Sequence, residues 1–413
     1  MEETAGKEIL AIVLDPFTGE IFAMGQRPTF DPNRPSQFSP NLLVNSFVSH
    51  LYEPGSTLKV LLAASAIQQG ILTPKSLIDC ENGYRMYGNK RIGEAESHRF
   101  GIISLEKVIA FSSNIGATKI ADKLGEDRVR SALDQFGLTS KTGIRLPGES
   151  YALPNGKSPW LPIFLGTVGF GQGIAVTPLQ MVSAFAAFAN GGYVVRPRIL
   201  MRENALSEDL EARRVISPST ALSVREMLVQ VTEAKGGTGL LAKIPSIRVA
   251  GKTGTAQKYV AGSGYESKKY FSSFIGFLPA DQPELLIAVM VDEPKWPYYG
   301  GQVAAPLFRR IAERSLQILD RVPKMTFVSR HRSIRTTARV DTATDPKPSL
   351  IGAGENRWFM PDLRGLGIRE VLRVLGPAAM SLSIRGYGYL ESQSPAAGSL
   401  LAAGSSVVLT FSP

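Results

Sequence analysis

Apolar residues recur along this chain with two periods. Residues 9–14 and 20–24 are short β-prone runs joined by Asp15-Pro16-Phe17-Thr18-Gly19, a turn composition that predicts a hairpin. A Pro-, Asn- and Ser-rich stretch over 27–41 reads as loop. Leu- and Ala-rich periodicity predicts a helix over 56–69, with Pro54-Gly55 before it and Gly70 as its stop. Two further helices, 104–111 and 115–124, are separated by the polar break Ser112-Ser113-Asn114. Residues 178–190, closed by Gly191-Gly192, and 219–232 are also helical. Strand-like runs follow at 247–250, 274–277 and 285–291, then a helix over 304–319. Residues 341–356 lack periodicity and have a linker composition. From residue 358 a second compact pattern begins, with a helix over 368–375 and β-like runs at 380–384 and 406–411. The predicted organisation is an α/β (α+β) body over 1–318, a basic linker over 319–356 and a small module over 357–413.

Composition narrows the chemistry. The 413 residues include one cysteine, Cys80, and three scattered histidines, His50, His98 and His331. An intrachain disulfide and a Cys-based metal site are therefore excluded, a His-rich metal centre is disfavoured, and no metal or cofactor is expected. The net charge of +10 is local: nine basic and two acidic residues over 309–339 account for seven of the ten units. That argues against nucleic acid as partner. The basic stretch either attracts an acidic polymer or anionic lipid head groups beside the main body or is a solvated connector. The longest apolar runs, 60–67 and 285–291, fall short of the ~18–20 residues of a membrane-spanning helix.

Three motifs carry candidate chemistry. In Ser56-Thr57-Leu58-Lys59 a serine at a helix start faces unpaired backbone N–H groups, and the lysine lies one turn on along the same face. A desolvated lysine has a lowered pKa and takes the serine proton as a neutral amine. The pattern also opens ordinary helices, and Ser104-Leu105-Glu106-Lys107 matches it equally. Ser112-Ser113-Asn114 offers hydroxyl and amide groups to a substrate or a proton relay. It equally suits a helix cap, and Ser39-Pro40-Asn41 repeats the form inside a loop. In Lys252-Thr253-Gly254-Thr255 the glycines Gly251 and Gly254 permit close approach to a strand edge, while a cation and two hydroxyls suit a carboxylate. A phosphate-loop reading of Gly251-Lys252-Thr253 fails, because Ser246 stands where the first glycine is required. Lys141-Thr142-Gly143 repeats the triplet without a strand before it.

Weak singly, the three motifs in this order and context are the set of penicillin-binding proteins and class A β-lactamases. Their surroundings sharpen the match. Tyr52-Glu-Pro-Gly-Ser-Thr-Leu-Lys59, Gly171-Gln-Gly-Ile-Ala-Val-Thr-Pro-Leu-Gln180 and Ala250-Gly-Lys-Thr-Gly-Thr-Ala-Gln257 closely resemble the transpeptidase domain of class B penicillin-binding proteins. So do Asp15-Pro-Phe-Thr-Gly-Glu-Ile-Phe-Ala-Met24, Gly236-Gly-Thr-Gly239, Phe277-Leu-Pro-Ala-Asp281 and Gly301-Gln-Val-Ala-Ala-Pro306. Met360-Pro-Asp-Leu-Arg-Gly365 and Gln393-Ser-Pro-Ala-Ala-Gly398 resemble a PASTA module, a small βαβββ unit. The implied fold is the penicillin-binding-protein/β-lactamase-like transpeptidase fold, an antiparallel sheet flanked by helices plus a helical subdomain, followed by the PASTA unit.

The resemblance implies that Ser56 is the acylated nucleophile and Lys59 its base. Ser112 relays a proton to the leaving D-alanine amine with help from Lys59 and Lys252, and Asn114 binds the substrate amide. Lys252, Thr253, Gly254 and Thr255 would hold the terminal carboxylate of a D-Ala-D-Ala stem, with the Ser56 and Thr255 N–H groups as oxyanion hole. The implied reaction is D,D-transpeptidation of peptidoglycan stem peptides in septal wall synthesis, with β-lactam antibiotics as acylating mimics. The implied partners are lipid II-derived glycan, a SEDS-type glycosyltransferase and divisome proteins. A D,D-carboxypeptidase, a β-lactam sensor and a β-lactamase are the alternatives. The β-lactamase lacks support, since no Glu-x-x-x-Asn lies between Ser112 and Lys252. A Ser-His-Asp hydrolase would need Gly-x-Ser-x-Gly, which is absent. Family members carry a membrane helix and a pedestal domain ahead of the transpeptidase. The chain is thus expected to be the extracytoplasmic part of a protein anchored in the cytoplasmic membrane by an N-terminal segment missing here, a natural soluble form being the alternative.

Overall fold

The computed structural model describes residues 6–319 and 351–412, except 32, 35–38, 96–97, 154–157, 201–211, 260–261, 263, 266–267, 353–356, 376–380, 387–388 and 403–404. The chain divides into two units, Met1–Phe327 and Val328–Pro413. Most of the basic stretch and of the expected linker lies outside the described residues.

The first unit is built on strands β1 (Glu8–Leu14) and β2 (Ile21–Arg27), the hairpin the sequence predicts. After a short helix α1 (Ser46–Ser49) comes α2 (Leu58–Gln68), buried from Leu58 to Ala66 and apolar there except for Lys59 and Ser65, as suits a helix at the centre of a body. Two small strand pairs follow, β3 (Leu77–Asp79) with β6 (Ile102–Ser104) and β4 (Tyr84–Tyr87) with β5 (Lys90–Gly93). Helices α3 (Leu105–Ala110), α4 (Asn114–Leu124), α5 (Glu126–Gln135), α6 (Pro162–Gly169) and α7 (Pro178–Ala189) continue the helical part. A third small pair, β7 (Tyr193–Val195) and β8 (Ala212–Arg214), precedes α8 (Pro218–Glu233). Strands β9 (Ala250–Gln257), β10 (Tyr270–Leu278) and β11 (Leu285–Asp292), then helices α9 (Gly300–Val303) and α10 (Ala305–Ile318), complete the unit.

Five strands form one antiparallel sheet in the order β2-β1-β11-β10-β9, which leaves β9 at an edge. Every residue of β11 is buried because both sheet faces are covered. On one face Leu10, Ile12, Ile275 and Met290 join the core of α2, α7 and α8. On the other, Val13, Phe274 and Val289 meet Phe308, Ala312 and Leu316 of α10. Those α10 residues recur every four positions, so one stripe of that helix faces the sheet.

The structure departs from the sequence reading in several places. The strand expected at 247–250 begins at Ala250 and runs on through two glycines to Gln257. Glycine is a poor strand former, but pairing with β10 along eight positions holds it extended. The helix expected over 304–319 is α10, and the short helix α9, which was not expected, precedes it and meets it at Ala304. Helix α5 has only Val129, Ala132 and Leu133 buried, and α6 contains Gly166 and Gly169, so neither shows a strong apolar period. Gly169 lets α6 lie on α4, since a Cβ there would stand 2.8 Å from Ala117 O.

The second unit has its own core of Met360, Leu363, Val371, Leu375, Leu390, Leu401, Val407, Leu409 and Phe411. Strands β12 (Ile351–Gly352), β13 (Arg357–Phe359) and β16 (Leu400–Ala402) form one sheet. Strands β14 (Ser381–Gly386), β17 (Ser406–Ser412) and β15 (Tyr389–Ser394) form another, and helix α11 spans Ile368–Leu375. Four strands therefore follow the helix where βαβββ implied three, and β12 lies in the stretch read as linker. The two signature segments meet through Gln393, whose side chain accepts from Leu363 N at 2.8 Å and donates to Pro361 O at 2.8 Å.

Candidate active site

Ser56 sits on a 3₁₀ turn, Gly55–Thr57, just ahead of α2 and not within its first turn as expected. Two close approaches fix this turn. Gly55 N donates to Gly171 O at 3.0 Å, and a Cβ on Gly171, at φ 84°, would stand 2.0 Å from Gly55 O. From the other side, a Cβ on Gly254 would stand 2.3 Å from Ser273 Oγ and 3.2 Å from Thr57 Cγ2. Glycine at both positions lets edge strand β9 and the 171 loop clasp the turn.

Lys59 and Lys252 are fully buried and converge on Ser112. Lys59 Nζ donates to Ser112 O at 2.6 Å, to Asn114 Oδ1 at 2.7 Å and to Ser112 Oγ at 3.3 Å. Lys252 Nζ meets the same hydroxyl at 2.9 Å and Thr253 O at 3.1 Å. Ser112 adopts φ 59°, a left-handed conformation that costs a non-glycine residue about 1–3 kcal/mol and turns both its carbonyl and its hydroxyl towards Lys59. Burial lowers the Lys59 pKa to about 7, against the opposing charge of Glu94. Burial, reinforced by the charge of Lys59, holds Lys252 well below the ordinary lysine range. The Lys59 amine is thereby available in neutral form near pH 7. None of the three Lys59 hydrogen bonds goes to Ser56.

Glu94 anchors the Ser112-Ser113-Asn114 segment. Its Oε1 accepts from Ser113 Oγ at 2.5 Å and Ile115 N at 3.3 Å, and its Oε2 from Asn114 N at 2.5 Å. The two backbone donors are unpaired N–H groups at the start of α4, where a carboxylate is favoured by the helix dipole. Ser113 also caps the helix by accepting from Gly116 N at 2.9 Å. Asn114 Nδ2 donates to Gly93 O at 3.0 Å, which leaves its Oδ1 for Lys59.

These groups line one cleft of about 700 Å³ whose walls include Ser56, Glu94, Ser112, Asn114, Thr253 and Thr255. The Thr253 hydroxyl pairs with Thr238 Oγ1 at 2.7 Å, and Thr255 Oγ1 accepts from Gly300 N at 2.9 Å. Aromatic rings of Tyr270 and Tyr298, stacked at 3.9 Å, form part of the wall.

All the residues singled out from sequence thus come together, from elements far apart in the chain, with Gly254 behind the nucleophile turn. The duplicate motifs do not. Ser104 ends β6 ahead of α3, Asn41 lies on the 3₁₀ turn Pro40–Leu43, and Lys141 and Thr142 line a separate cavity. His50 packs edge-on against Phe271, 3.6 Å from Glu8, whereas His98 is exposed and lines the cleft. The sequence carries no signal for Glu94, because it stands in a stretch with no periodicity and its role depends on contacts across 19 to 21 residues of chain. Thr238 and Gly301 lie in segments already marked by resemblance, which was the available signal.

The Penicillin binding protein transpeptidase domain model matches residues 9–313, and the PASTA domain model matches 359–413. Penicillin-binding protein PbpB of Mycolicibacterium smegmatis is 34% identical over 331 residues, covering 76% of this chain and 51% of the relative. Stage V sporulation protein D of Bacillus subtilis is 31% identical over 413 residues, covering 97% of this chain and 60% of the relative. The crystal structure of penicillin-binding protein 3 of Mycobacterium tuberculosis complexed with ampicillin superposes with a TM-score of 0.69 at 34% identity, covering 78% of this chain and 74% of that one. The chain spans about half the length of PbpB and similar relatives. Among the described residues no helix is long and apolar enough to cross a membrane.

Proposed function

The chain belongs to the penicillin-binding-protein transpeptidase family and carries a PASTA domain, and on that premise we propose that it is a serine peptidoglycan D,D-transpeptidase. The observation that carries the reading is the Ser112 hydroxyl shared by two fully buried lysines whose pKa values burial has lowered.

Ser56 Oγ attacks the carbonyl carbon of the penultimate D-alanine, and its proton passes to the neutral Lys59 amine. The oxyanion is received by the backbone N–H groups of Ser56 and Thr255. The C–N bond breaks as Ser112, flanked by Lys59 and Lys252, delivers a proton to the leaving D-alanine amine. An amine of a second stem peptide then attacks the ester, giving a new peptide bond and returning Ser56 Oγ–H. Thr255 Oγ1 already accepts from Gly300 N, so its own proton is available to the substrate carboxylate. Edge strand β9 leaves one side of its backbone to pair with an extended peptide.

The relatives' names include a sporulation protein, and a wall-synthesis role in septation agrees with that name and with the PASTA domain. Catalysis then takes place outside the cytoplasmic membrane, with a SEDS-type polymerase and divisome proteins supplying the glycan. The division into transpeptidase (1–318), linker (319–356) and PASTA (357–413) follows the same reading.

Labelling with a fluorescent penicillin tests it. Wild type acquires a stable label, Ser56→Ala acquires none, and release is slow. Rapid release would replace the transpeptidase with a β-lactamase, and stem peptides that are only hydrolysed in the presence of acceptor would replace it with a carboxypeptidase.

A further inference from the structure

A second cavity of about 400 Å³ adjoins the catalytic cleft, sharing Ala256 and Gln257 of β9 with it. Its wall includes Tyr52 and Glu53, a few residues ahead of the nucleophile. Glu53 Oε1 accepts from Tyr265 Oη at 2.7 Å and from Gly173 N at 2.8 Å. Glu53 Oε2, screened from solvent, has no hydrogen-bond partner, and neither does the hydroxyl of Tyr52, a residue only 6% exposed. The basic side chains at the cavity, Lys258 and His50, have acids of their own. Lys258 Nζ lies 2.7 Å from Asp292 and 2.8 Å from Glu293, and His50 Nδ1 lies 3.6 Å from Glu8. Among the described residues no cation pairs with Glu53.

We propose that this cavity is a subsite for the ammonium group of a stem-peptide diamino residue, with Glu53 as its counter-ion. The inference rests on the transpeptidase reading. A buried carboxylate oxygen and a phenol, both unpartnered, ask for a ligand rich in donors, and a primary ammonium offers three. Glu53 is only half-buried and lines the cavity, which puts its carboxylate within reach of a cation bound there. Distance agrees: with the terminal carboxylate at Thr253, the third residue of an extended stem lies two strand steps, about 7 Å, further along β9. Its side chain then spans the remaining distance towards Gln257. Burial raises the Glu53 pKa, as it does for any carboxylate kept from water without a cation, and an ammonium would reverse that shift.

The amine belongs either to the donor stem or to the acceptor, and single-turnover rates of acylation and of transfer to the acceptor separate them. With no acceptor present, wild type is given donor peptides carrying lysine or norleucine at the third position from the terminus. In a second arm the donor is fixed and the acceptor is offered with and without a second amine. An amine preference of about tenfold or more in one arm is expected, and that arm identifies the source. Glu53→Gln keeps an oxygen for Tyr265 and Gly173 yet lowers the ratio towards one, and Tyr52→Phe lowers it partway. Equal rates for both peptides in wild type in both arms would overturn the subsite, as would an unchanged preference in Glu53→Gln. Failure of the transpeptidase reading shows separately, as wild type that takes no penicillin label.

Discussion

Replacing Glu94 by glutamine tests how the active site is held. The carboxylate accepts three hydrogen bonds on two oxygens, from Ser113 Oγ, Ile115 N and Asn114 N. An amide has one acceptor oxygen and one NH₂ group, so either orientation sets a donor against a backbone N–H. If the NH₂ takes the Oε2 place, Asn114 N is stranded; if it takes the Oε1 place, Ser113 can turn to accept but Ile115 N is stranded. A stranded buried donor costs about 1–3 kcal/mol. Losing a carboxylate at the start of α4 adds about 0.3–1 kcal/mol. The expected loss is therefore roughly 1.3–4 kcal/mol, about 2 °C of Tm per kcal/mol. The second effect has the opposite sense. Glu94 is the charge that opposes the lowering of the Lys59 pKa, so its removal lets that pKa fall below about 7. The acid limb of penicillin acylation, read as kcat/KM against pH, should move to lower pH while the plateau rate drops because Asn114 is no longer held. A limb that stays in place or moves upward, together with an unchanged Tm, would refute both the cap and the electrostatic coupling.

In the wild type, acylation should lose about tenfold in rate per pH unit below 7, because Lys59 must be neutral to accept the Ser56 proton and its pKa is about 7. A flat profile from pH 5 to 8 would exclude Lys59 as the base. Lys252→Ala should reduce acylation efficiency ten- to about 150-fold, the worth of a charged hydrogen bond of about 1.5–3 kcal/mol. It should not lower Tm by more than the packing of its stem requires, since a desolvated cation is removed. Gly171→Ala should abolish labelling and lower Tm, because the new Cβ would stand 2.0 Å from Gly55 O at φ 84°; full labelling would show that the 171 loop does not set the nucleophile turn.

Legibility from sequence followed burial. The hairpin, helices α3, α4, α7 and α8 and strand β11 were predicted to within a few residues, since each buries an apolar run or stripe. Strand β9 was misplaced because Gly251 and Gly254 carry no β propensity; hydrogen bonding to β10 makes it a strand. Helix α5, polar on most of its surface, and the small strand pairs between α2 and α3 owe their form to neighbours instead of to their own pattern.

The candidate site divides the same way. Identity and order of Ser56, Lys59, Ser112, Asn114 and Lys252 were readable, and so was the resemblance that ranked them above the duplicates at 104–107, 39–41 and 141–143. Local sequence determined which residues could do the chemistry, because side-chain type and helix spacing are properties of a few neighbouring positions. Tertiary structure alone decided that Lys59 and Lys252 meet one hydroxyl from 53 and 140 residues away. It also decided that Glu94 caps α4 and that Glu53 faces a second cavity. Such contacts depend on sheet register and on how closely glycines let two backbones pass, and the burial that lowers two lysine pKa values exists only once those segments have closed around them.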